Sequence, residues 1–439
     1  MSTYKLPPIA SRIKFLLHAR QFIHNPIPII EGTLKLLGPT YTFYMGGLEK
    51  GVLTIDPVAV KHVLQKNHRA YEKSAIVTDL LAKYTGRGLL TSTGDYWLRQ
   101  RRLIQPGFHK RRIESLQSLM KAEVDACMER WADFAKSSTV FDAYAEMNHL
   151  TFRIVAKTLF TTSLEENGLL QLSELISTLQ SFIVKEVRQP YKRWWFSLTG
   201  TIRHHIDLAA GARDIIRQVI IERRRHNEHP DDLLSMLLES KYEDTGLGMN
   251  DEQLIDECLI LFVAGHETSA NALSWMIYML GKHPEEMMRI QQADLAARES
   301  RIRNVINETM RLYPPAWVVD RISLDDDHVL DYHLPKGTVW IIFIRGMHRN
   351  PKYWDQPDQF NPDRWNDPQL NKEAYMPFGA GPRLCIGEHF AMMEMELILS
   401  EIVRLWDINL ISKVVTEKPL VTLRPLEKVL IRITPNFVC

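Results

Sequence analysis

The stretch PFGAGPRLCIG, residues 377–387, places a single cysteine among glycines, and the apolar and acidic stretch EHFAMMEMELILSEIVRLW follows it at 388–406. The second stretch predicts a helix from about residue 387 to 405, so Cys385 comes just before a helix N-terminus. The pattern leaves three uses for this cysteine open. They are a catalytic nucleophile with His389 one turn away as its base, a metal ligand, and a small buried residue, the commonest state of a single cysteine.

The neighbours of Cys385 favour the metal-ligand hypothesis. Gly379, Gly381 and Gly387 allow the backbone to turn tightly and to approach a flat ligand closely. A helix N-terminus and a cluster of amide N–H groups stabilise a thiolate. A thiolate held in a confined loop suits a permanent metal bond better than a mobile nucleophile does. One such bond suits haem iron, because the porphyrin supplies four other ligands.

The composition is that of a globular protein with a large core. Of the 439 residues, 45% are hydrophobic and 24% are charged. The net charge is +1, which gives no reason to expect nucleic acid as a partner. No long Pro-, Gly- or Ser-rich linker divides the sequence. We therefore expect residues 1–439 to form one domain without a fused reductase.

The cysteines and the N-terminus predict a soluble, cytoplasmic protein. The four cysteines lie far apart and form no C-x-x-C pair, which argues against a disulfide framework or a zinc site. They are Cys127, Cys258, Cys385 and Cys439. The stretch MSTYKLPPIASRIKFLLHARQ lacks the features of a signal peptide. The longest apolar run, CLILFVAG near residue 260, is too short to span a bilayer, so we expect no membrane anchor.

The pattern of hydrophobic residues predicts a mainly α-helical fold with small β-sheets. The stretch YTFYMGGLEKGVLTI, residues 41–55, alternates around glycines and predicts a hairpin. Long helical patterns dominate from about Ala122 onward. Residues 325–343, DDDHVLDYHLPKGTVWIIF, predict short strands joined by turns.

A long central helix is the most periodic segment of the sequence. Asn250 and Gln253 match a capping box at its start, and Gly281 with Pro284 predicts its end about thirty residues later. Its middle reads FVAGHETSANA, residues 262–272, with glycine, glutamate and hydroxyl side chains inside an apolar helix. Two interpretations stay open: a local distortion facing a ligand, or a packing glycine beside a charge that reaches solvent.

Five motifs together resemble those of the cytochrome P450 family, and the resemblance covers almost the whole chain. FGAGPRLCIG is similar to the family's haem-binding loop. The other four occur in the family's order and spacing, and they are WLRQR at 97–101, AGHETS at 264–269, ETMR at 308–311 and FNPDRW at 360–365. The resemblance implies the cytochrome P450 fold, a large helical domain around a long central helix. It also implies a soluble, bacterial-type haem-thiolate monooxygenase with haem b, iron protoporphyrin IX, as its cofactor.

The resemblance implies specific roles for residues in these motifs. Cys385 would ligate the iron, with Phe378 packed near its sulfur, while arginines would bind the haem propionates. The cofactor-binding set is Trp97, Arg101, Ala264, Gly265, Arg321, Phe378, Arg383, Cys385 and Gly387. Thr268 and Glu267 would deliver protons during oxygen activation, and His266 would take no part. Glu308, Arg311 and Arg364 would form a buried structural network.

The resemblance also implies reaction partners. No flavin or nicotinamide fingerprint is present, so electrons would come from a ferredoxin or flavodoxin with its NAD(P)H-dependent reductase. A basic segment would attract such an acidic partner, although charge runs are usually solvated helix faces. Its members are Arg99, Arg101, Arg102, Lys110, Arg111 and Arg112. We expect a monomer.

The expected reaction is hydroxylation or oxidative O-demethylation of a small organic substrate. The expected substrate lining mixes polar and apolar residues, which leaves small polar or glycosidic compounds, lipids and terpenoids open. It comprises Ile76 to Leu90, Phe182 to Arg188, Trp317 to Val319, Val421 and Thr422. Alternatives to the monooxygenase are a haem-thiolate isomerase or dehydratase, a peroxygenase, and a non-enzymatic haem sensor.

Overall fold

The computed structural model describes residues 4–45, 49–161, 166–226 and 230–436. Cys439 and the turn of the hairpin predicted at 41–55 therefore lie outside the described residues. The two strands of that hairpin are present and pair antiparallel. The architecture is mainly helical with small sheets, which confirms the predicted fold class.

The first helices lie near the N-terminus. The long helices, those of eighteen residues or more, occur from residue 117 onward, as the sequence predicts. A π-helical turn, His62–Lys66, contributes to the site described below. The α-helices are α1 (Arg12–Leu17), α2 (Ala19–His24), α3 (Ile27–Leu37), α4 (Pro57–Lys61), α5 (Ala82–Thr85), α6 (Gly94–Ile104), α7 (Lys110–Ser115), α8 (Gln117–Lys136), α9 (Ala143–Phe160), α10 (Glu166–Arg188), α11 (Arg193–Leu198), α12 (Thr201–His226), α13 (Leu233–Glu239), α14 (Asp251–Lys282), α15 (Pro284–Gln292), α16 (Leu295–Leu312), α17 (Ile344–Met347) and α18 (Glu388–Leu405).

The strands form one five-stranded sheet and smaller sheets. They are β1 (Thr40–Met45), β2 (Glu49–Thr54), β3 (Tyr71–Glu72), β4 (Phe141–Asp142), β5 (Val319–Ser323), β6 (Asp327–Val329), β7 (Tyr332–Leu334), β8 (Val339–Ile342), β9 (Trp406–Leu410), β10 (Glu417–Pro419), β11 (Leu423–Pro425) and β12 (Leu430–Pro435). The five-stranded order is β1-β2-β8-β5-β3, in which only β2 and β8 are parallel. The three-stranded order is β4-β12-β9, and β6-β7 and β10-β11 are pairs. The strands predicted at 325–343 are β6, β7 and β8.

The predicted central helix is α14. The Asn250 side chain accepts a hydrogen bond from the Gln253 amide at 2.9 Å and so caps the helix as expected. The Gln253 side chain does not complete the capping box, because it donates to the Tyr242 hydroxyl instead. The helix has 32 residues and ends at Lys282, so it is about 48 Å long. It is buried on nearly all sides, which explains its almost continuous apolar sequence.

Hydrophobic packing places α14 at the centre of the largest cluster of buried side chains in the described chain. The helix predicted after Cys385 is α18, and it packs against this cluster as well. A second cluster fills the space around the five-stranded sheet. A small third cluster includes Tyr84, Phe182 and Phe196. The loop 377–387 lies between elements of the first and second clusters, since Phe378 packs on the first and Ala380 belongs to the second.

Candidate active site

Residues 377–387, hereafter the cysteine loop, turn so that backbone groups fix the position of Cys385. The amide of Cys385 donates to the carbonyl of Phe378 at 3.0 Å, which closes the loop. The amide of Gly387 donates to the Cys385 sulfur. An N–H donor at this position stabilises negative charge on the sulfur. The sequence therefore correctly predicted a loop that presents an amide to the thiol.

Two glycines of the loop are required by its backbone conformation. Gly379 and Gly381 have φ angles of +77° and +71°, in the left-handed region that favours glycine. At Gly381 a side-chain carbon would also overlap the carbonyl oxygen of Leu64, in the π-helical turn His62–Lys66. The loop thus packs directly against a second backbone segment, and this close approach was not visible in the sequence.

The thiol of Cys385 is accessible although protein surrounds it closely. Its side chain is accessible to solvent, yet protein surrounds the sulfur so closely that burial raises the pKa of the thiol. The Gly387 amide and the Arg101 charge oppose this rise, whereas the Glu388 carboxylate adds to it. The two observations agree if the thiol faces an internal cleft rather than the outer surface. A thiol with a raised pKa is a poor free nucleophile, which weighs against the pairing with His389.

Helix α6 meets the cysteine loop through the residues of the WLRQR motif. Arg101 donates from Nη1 to the carbonyl oxygen of Leu384 at 2.9 Å. The Arg383 guanidinium lies 3.7 Å from the centre of the Trp97 ring and donates to the Ser92 carbonyl at 2.9 Å. Stacking of a guanidinium on an aromatic face leaves its remaining N–H groups free to point along the ring plane. The sequence predicted these three residues as one site, and the structure brings them together.

Strand pairing adds a lysine that the sequence analysis missed. Strand β3 pairs antiparallel with β5, and continuing this register places Lys73 beside Arg321. The amide of Ser74 donates to the Asp320 carboxylate at 2.8 Å, which fastens this end of the pairing. Lys73 belongs to no motif, so no local signal in the sequence indicates it. Only the sheet register shows that it belongs with the predicted arginines.

The cluster formed by Lys73, Arg321 and Arg383 carries more positive charge than its surroundings balance. Burial, followed by the charges of Arg383 and Arg321, lowers the pKa of Lys73 to about 7, against the opposing charge of Asp320. Burial and Arg321 likewise lower the pKa of Arg383 to about 9. The Lys73 amine donates to the carbonyl of Leu90. Three crowded cations of this kind form a site for an anion, which would relieve their mutual repulsion.

The middle of α14 presents a hydroxyl at an accessible part of an otherwise buried helix. Ala264 is exposed and Thr268 is partly exposed, whereas most residues before and after them on α14 are buried. The Thr268 hydroxyl donates to the Ala264 carbonyl at 2.8 Å. The helix is α-helical from Asp251 to Lys282, so a local distortion, one of the two interpretations of the sequence, is not seen in these described residues. The hydroxyl bonds within the intact helix instead.

Two neighbouring residues of the AGHETS motif have packing roles. A side-chain carbon at Gly265 would lie 3.1 Å from a methyl carbon of Val155, so the glycine allows α9 to pack closely on α14. This contact supports the packing interpretation of Gly265. His266 is buried against Phe152 and Phe262, and burial lowers its pKa to about 4. It is a neutral core residue, as the sequence analysis inferred.

Glu267 is a buried carboxyl group held by the C-terminal strands. Burial raises its pKa, and a hydrogen bond to Thr422, the charge of Arg424 and a hydrogen bond to Gln180 oppose this rise. Asn271 donates to the Thr422 hydroxyl at 2.9 Å and so links the same strands to α14. Thr422 was predicted to lie near the substrate, whereas no motif in the sequence indicates Arg424. Both come from the β10–β11 region, far from α14 in the sequence.

Glu308, Arg311 and Arg364 form the buried network that the motifs predicted. Arg311 donates to both carboxylate oxygens of Glu308 at 2.9 Å, and Arg364 adds a third bond at 3.0 Å. The Asn361 amide and the Trp365 indole complete the carboxylate at 2.9 and 3.0 Å. Glu308 and Arg311 are fully buried, so every bond matters for the stability of this charge pair.

This network is connected to the cysteine loop through one histidine. Arg311 donates to the carbonyl of His348 at 2.9 Å. The Nε2 atom of His348 accepts a hydrogen bond from the amide of Met376 at 2.9 Å. The carbonyl of Met376 then accepts from the amide of Gly379, inside the loop, at 3.1 Å. The buried charges are thus three hydrogen bonds away from the cysteine loop.

Comparison with known proteins agrees with this geometry. The sequence matches the cytochrome P450 family over residues 7–439. The chain belongs to the cytochrome P450 family. Its relatives include pentalenene oxygenase of Streptomyces avermitilis, 29% identical over 407 residues, which are 89% of each chain. Two further relatives, both from Streptomyces melanosporofaciens, are cyclooctat-9-en-7-ol 5-monooxygenase, 30% identical over 82% of this chain and 80% of the relative, and cyclooctatin synthase, 29% identical over 81% and 80%.

Family membership makes this cytochrome P450 a haem-thiolate monooxygenase, and the donor groups described above fit that cofactor. A single thiol receives an amide hydrogen bond, which would orient a thiolate ligand of iron and stabilise its charge. The crowded cations Lys73, Arg321 and Arg383 match the carboxylates at the edge of a haem. None of the described helices has the length and apolar character required to cross a membrane.

The polar residues of the expected substrate lining are engaged elsewhere in this cytochrome P450. Arg188 donates to two backbone carbonyls at the end of α2 and to the carbonyl of Pro419. The Trp317 indole donates to the carbonyl of Leu420 at 3.1 Å. Lys185 is exposed, and its amine lies 5.5 Å from the centre of the Phe196 ring. Two further charged members, Lys83 and Glu186, form an ion pair at 2.7 Å.

The basic segment of the cytochrome P450 is partly neutralised. Arg101 contacts the cysteine loop, as described above, and three other members form ion pairs. These pairs are Arg99 with Asp244 at 3.2 Å, Lys110 with Glu114 at 3.8 Å, and Arg112 with Asp231. Arg102 and Arg111 are exposed. The segment is therefore less positive than its sequence indicates.

Proposed function

We propose that this cytochrome P450 inserts one oxygen atom from O2 into a C–H bond of an apolar organic substrate. The observation that carries the proposal is the exposure of Cys385, Ala264 and Thr268 on elements otherwise packed in the core. A thiolate loop on one element and a hydroxyl on the central helix are the two groups that such chemistry requires. When bound, the haem supplies O2 activation, to which electron donation by the thiolate contributes.

The cofactor in this proposal is haem b, with Cys385 as its protein ligand. Its two carboxylates would lie among Arg101, Arg321, Arg383 and Lys73, since these cations converge near the cysteine loop. Trp97 would hold Arg383 in place by stacking. Lys73 extends the set that the motifs implied.

Thr268 and Glu267 would hold and move protons above the cofactor. The Thr268 hydroxyl hydrogen is directed to the Ala264 carbonyl, so the oxygen lone pairs are available to accept a hydrogen bond from water or substrate. Burial raises the pKa of Glu267, which favours the protonated form more than in a solvated carboxyl group. A hydroxyl and a carboxyl group on adjacent residues supply the two elements of a proton relay through water. Loss of that relay diverts oxygen to peroxide instead of product.

The substrate in this proposal is an apolar compound of lipid or terpenoid type. The polar candidates Arg188, Lys185 and Trp317 are paired with protein groups or point to solvent, which weighs against a small polar or glycosidic substrate. The relatives named for pentalenene and cyclooctat-9-en-7-ol agree with this choice. Hydroxylation is the expected outcome, and O-demethylation follows from the same chemistry when the substrate carries a methyl ether.

Electrons would come from a separate ferredoxin or flavodoxin with its NAD(P)H-dependent reductase. The exposed Arg102 and Arg111 would contribute most to docking, because other members of the basic segment are already paired. We further propose that residues 1–439 form one haem domain that works as a monomer in the cytoplasm.

The test begins by screening compounds for a shift of the haem absorption band and then measures coupling. Thr268→Val keeps the shape of the side chain but removes the hydroxyl. We expect it to consume reductant at a comparable rate while releasing peroxide, with a severalfold lower ratio of product to reductant. Ser274→Ala is the matched control, since Ser274 bonds to the Ala270 carbonyl in the same way but is fully buried. Unchanged coupling in Thr268→Val contradicts the relay.

Isotopic oxygen separates the monooxygenase from its alternatives. Products formed under labelled O2 should contain one labelled oxygen atom. Product formation without reductant or O2 would instead favour an isomerase or dehydratase, and dependence on added peroxide alone would favour a peroxygenase. Failure of any compound to turn over, together with a second protein ligand on the iron, would favour a haem sensor. The absorption of the reduced, carbon monoxide-treated protein tests the thiolate separately, because a thiolate ligand shifts that band far to the red.

A further inference from the structure

Residues 86–92, hereafter the linking loop, connect α5 to α6 and belong to no helix or strand. Two carboxyl groups of α14 hold the backbone of this loop. The amide of Arg87 donates to the Asp256 carboxylate at 2.7 Å, and the amide of Leu89 donates to the Glu257 carboxyl group at 2.8 Å. Because the two acidic residues are adjacent in the sequence, a single turn of α14 determines where the linking loop lies.

The linking loop packs closely on these carboxyl groups and is tied to itself. A side-chain carbon at Gly86 would overlap the Asp256 carboxylate, and one at Gly88 would lie 2.7 Å from the Oε2 atom of Glu257. The Thr91 hydroxyl donates to the carbonyl of Gly86 at 2.7 Å, and the Thr91 amide donates to the carbonyl of Gly88 at 3.1 Å. These internal bonds mean that a displacement at one end of the loop is passed to the other.

The C-terminal end of the linking loop supplies acceptors for two cations of the cofactor site. The Lys73 amine donates to the carbonyl of Leu90. Arg383 donates from Nη1 to the carbonyl of Ser92 at 2.9 Å. Leu90 directly follows the residue whose amide is anchored on α14. A shift of that amide would therefore move both carbonyls, and the two cations would lose their acceptors or move with them.

Glu257 is an unfavourable residue for α14 itself. It is fully buried, and no described group hydrogen-bonds to its Oε1 atom. Burial raises the pKa of Glu257 to about 8, the charge of Asp256 adds to the rise, and the Leu89 amide opposes it. The side chain is therefore mostly neutral at neutral pH. An apolar side chain would avoid the cost of an unpaired buried oxygen. The carboxyl group thus benefits the linking loop and not the packing of α14.

We propose that Glu257 is a positioning residue for haem binding, which acts through the linking loop on the cations Lys73 and Arg383. The carboxyl group fixes the Leu89 amide, so that the next carbonyls lie where the two cations need acceptors. The cations are then held in place to meet the haem carboxylates. This role requires no contact between Glu257 and haem. The inference rests on the placement of the haem carboxylates among these cations that is proposed above.

Transfer of haem from the ferric holoprotein to excess apomyoglobin tests this role without relying on turnover. Glu257→Met keeps the length of the side chain but leaves a buried amide without an acceptor, so haem loss should be about fivefold faster or more. Glu257→Gln keeps an acceptor oxygen and resembles the neutral carboxyl group, so its rate should stay within about twofold of the wild type. Gly88→Ala disturbs the same contact from the loop and should resemble Glu257→Met, which provides a second variant if the first does not fold.

Two further variants separate positioning from general stability. Lys73→Met should itself speed haem loss. Glu257→Met should have a smaller effect in the Lys73→Met protein than in the wild type, because one of the two cations through which it acts is then absent. Asn250→Ala is the matched control. It removes the acceptor of another backbone amide of α14, that of Gln253 at 2.9 Å, and should lose haem like the wild type.

The outcomes distinguish this inference from the proposal on which it rests. If Lys73→Met loses haem like the wild type, the placement of the haem carboxylates is wrong, and the inference is wrong with it. If Lys73→Met loses haem faster but Glu257→Met and Gly88→Ala do not, the inference alone is overturned. It is also overturned if Glu257→Gln or Asn250→Ala loses haem as fast as Glu257→Met, or if the effects of Glu257→Met and Lys73→Met simply add.

Discussion

Replacing Glu308 by Gln should destabilise the protein and loosen its hold on haem. Gln keeps the shape of the side chain but removes the charge and one acceptor atom. One carboxylate oxygen accepts three hydrogen bonds, from Arg311, Arg364 and the Asn361 amide. The other accepts two, from Arg311 and the Trp365 indole. The amide nitrogen of Gln fits best at the second position, where it would face two donors.

The size of the effect follows from these contacts. Two buried donors without acceptors cost about 1–3 kcal/mol each. A second estimate of the same loss treats the change as removal of one partner from a buried ion pair, which costs about 3–5 kcal/mol. Both estimates centre on about 4 kcal/mol. With an unfolding entropy of about 2.1 cal/mol/K per residue, a two-state chain of 439 residues would melt about 4 °C lower.

The assay combines thermal unfolding with haem content. Because hydrogen bonds connect Arg311 to the cysteine loop through His348 and Met376, haem content per protein should fall along with the melting temperature. Asp207→Asn is the control, since it removes the charge from an exposed ion pair with Arg203 at 3.1 Å. Its effect should stay within about 0.5 kcal/mol. An E308Q protein with wild-type melting temperature and haem content would refute this reasoning.

Two further predictions concern the cofactor site. Lys73→Met should weaken haem binding to the cofactor-free protein and remove the pH dependence of that binding. Burial and the neighbouring arginines lower the pKa of Lys73 to about 7. A bound carboxylate favours the charged form of Lys73, so haem binding above pH 7 takes up a proton. The affinity of the wild type for haem should be constant below about pH 7 and fall by up to about tenfold per pH unit above it. The control Lys413→Met should show the same pH dependence. The same pH dependence in Lys73→Met contradicts the assignment. Gly381→Ala and Gly200→Ala share a φ of +71°, but only the first would place a side chain against a backbone carbonyl. Backbone strain of about 1–2 kcal/mol should appear in both, with a further loss of stability and haem only at Gly381; equal losses from denaturant titrations and haem assays would show that the close contact is unimportant.

Much of the site could be predicted because its residues occur in local motifs. The cysteine loop needs glycines at particular φ angles, and Cys385, Gly379 and Gly381 stand together in the sequence for that reason. Glu308 and Arg311 are three residues apart on one helix, so their contact follows from helical geometry. Arg364 joins them from a distant segment, and only the family resemblance indicated it.

Other parts of the site depend on contacts between distant segments and were missed or assigned differently. Lys73 reaches the arginine cluster through the pairing of β3 with β5. Arg424 approaches Glu267 from β11. Gly265 lies where α9 packs closely against α14, which periodicity along α14 does not reveal. The basic segment lost charge to acids such as Asp244, which lies far from it in the sequence.

The sequence by itself determined the helices and the cysteine loop, because these depend on hydrophobic period and on the residue types within short segments, and its resemblance to a known family implied the haem-thiolate assignment. Tertiary structure alone decided where charge collects. It placed Lys73 among the arginines, engaged Arg188 with backbone carbonyls and left Trp194 and Trp195 exposed. The physical reason is that the free energy of a charge or an aromatic ring depends on the groups around it. Those groups come from segments that lie far apart in the sequence.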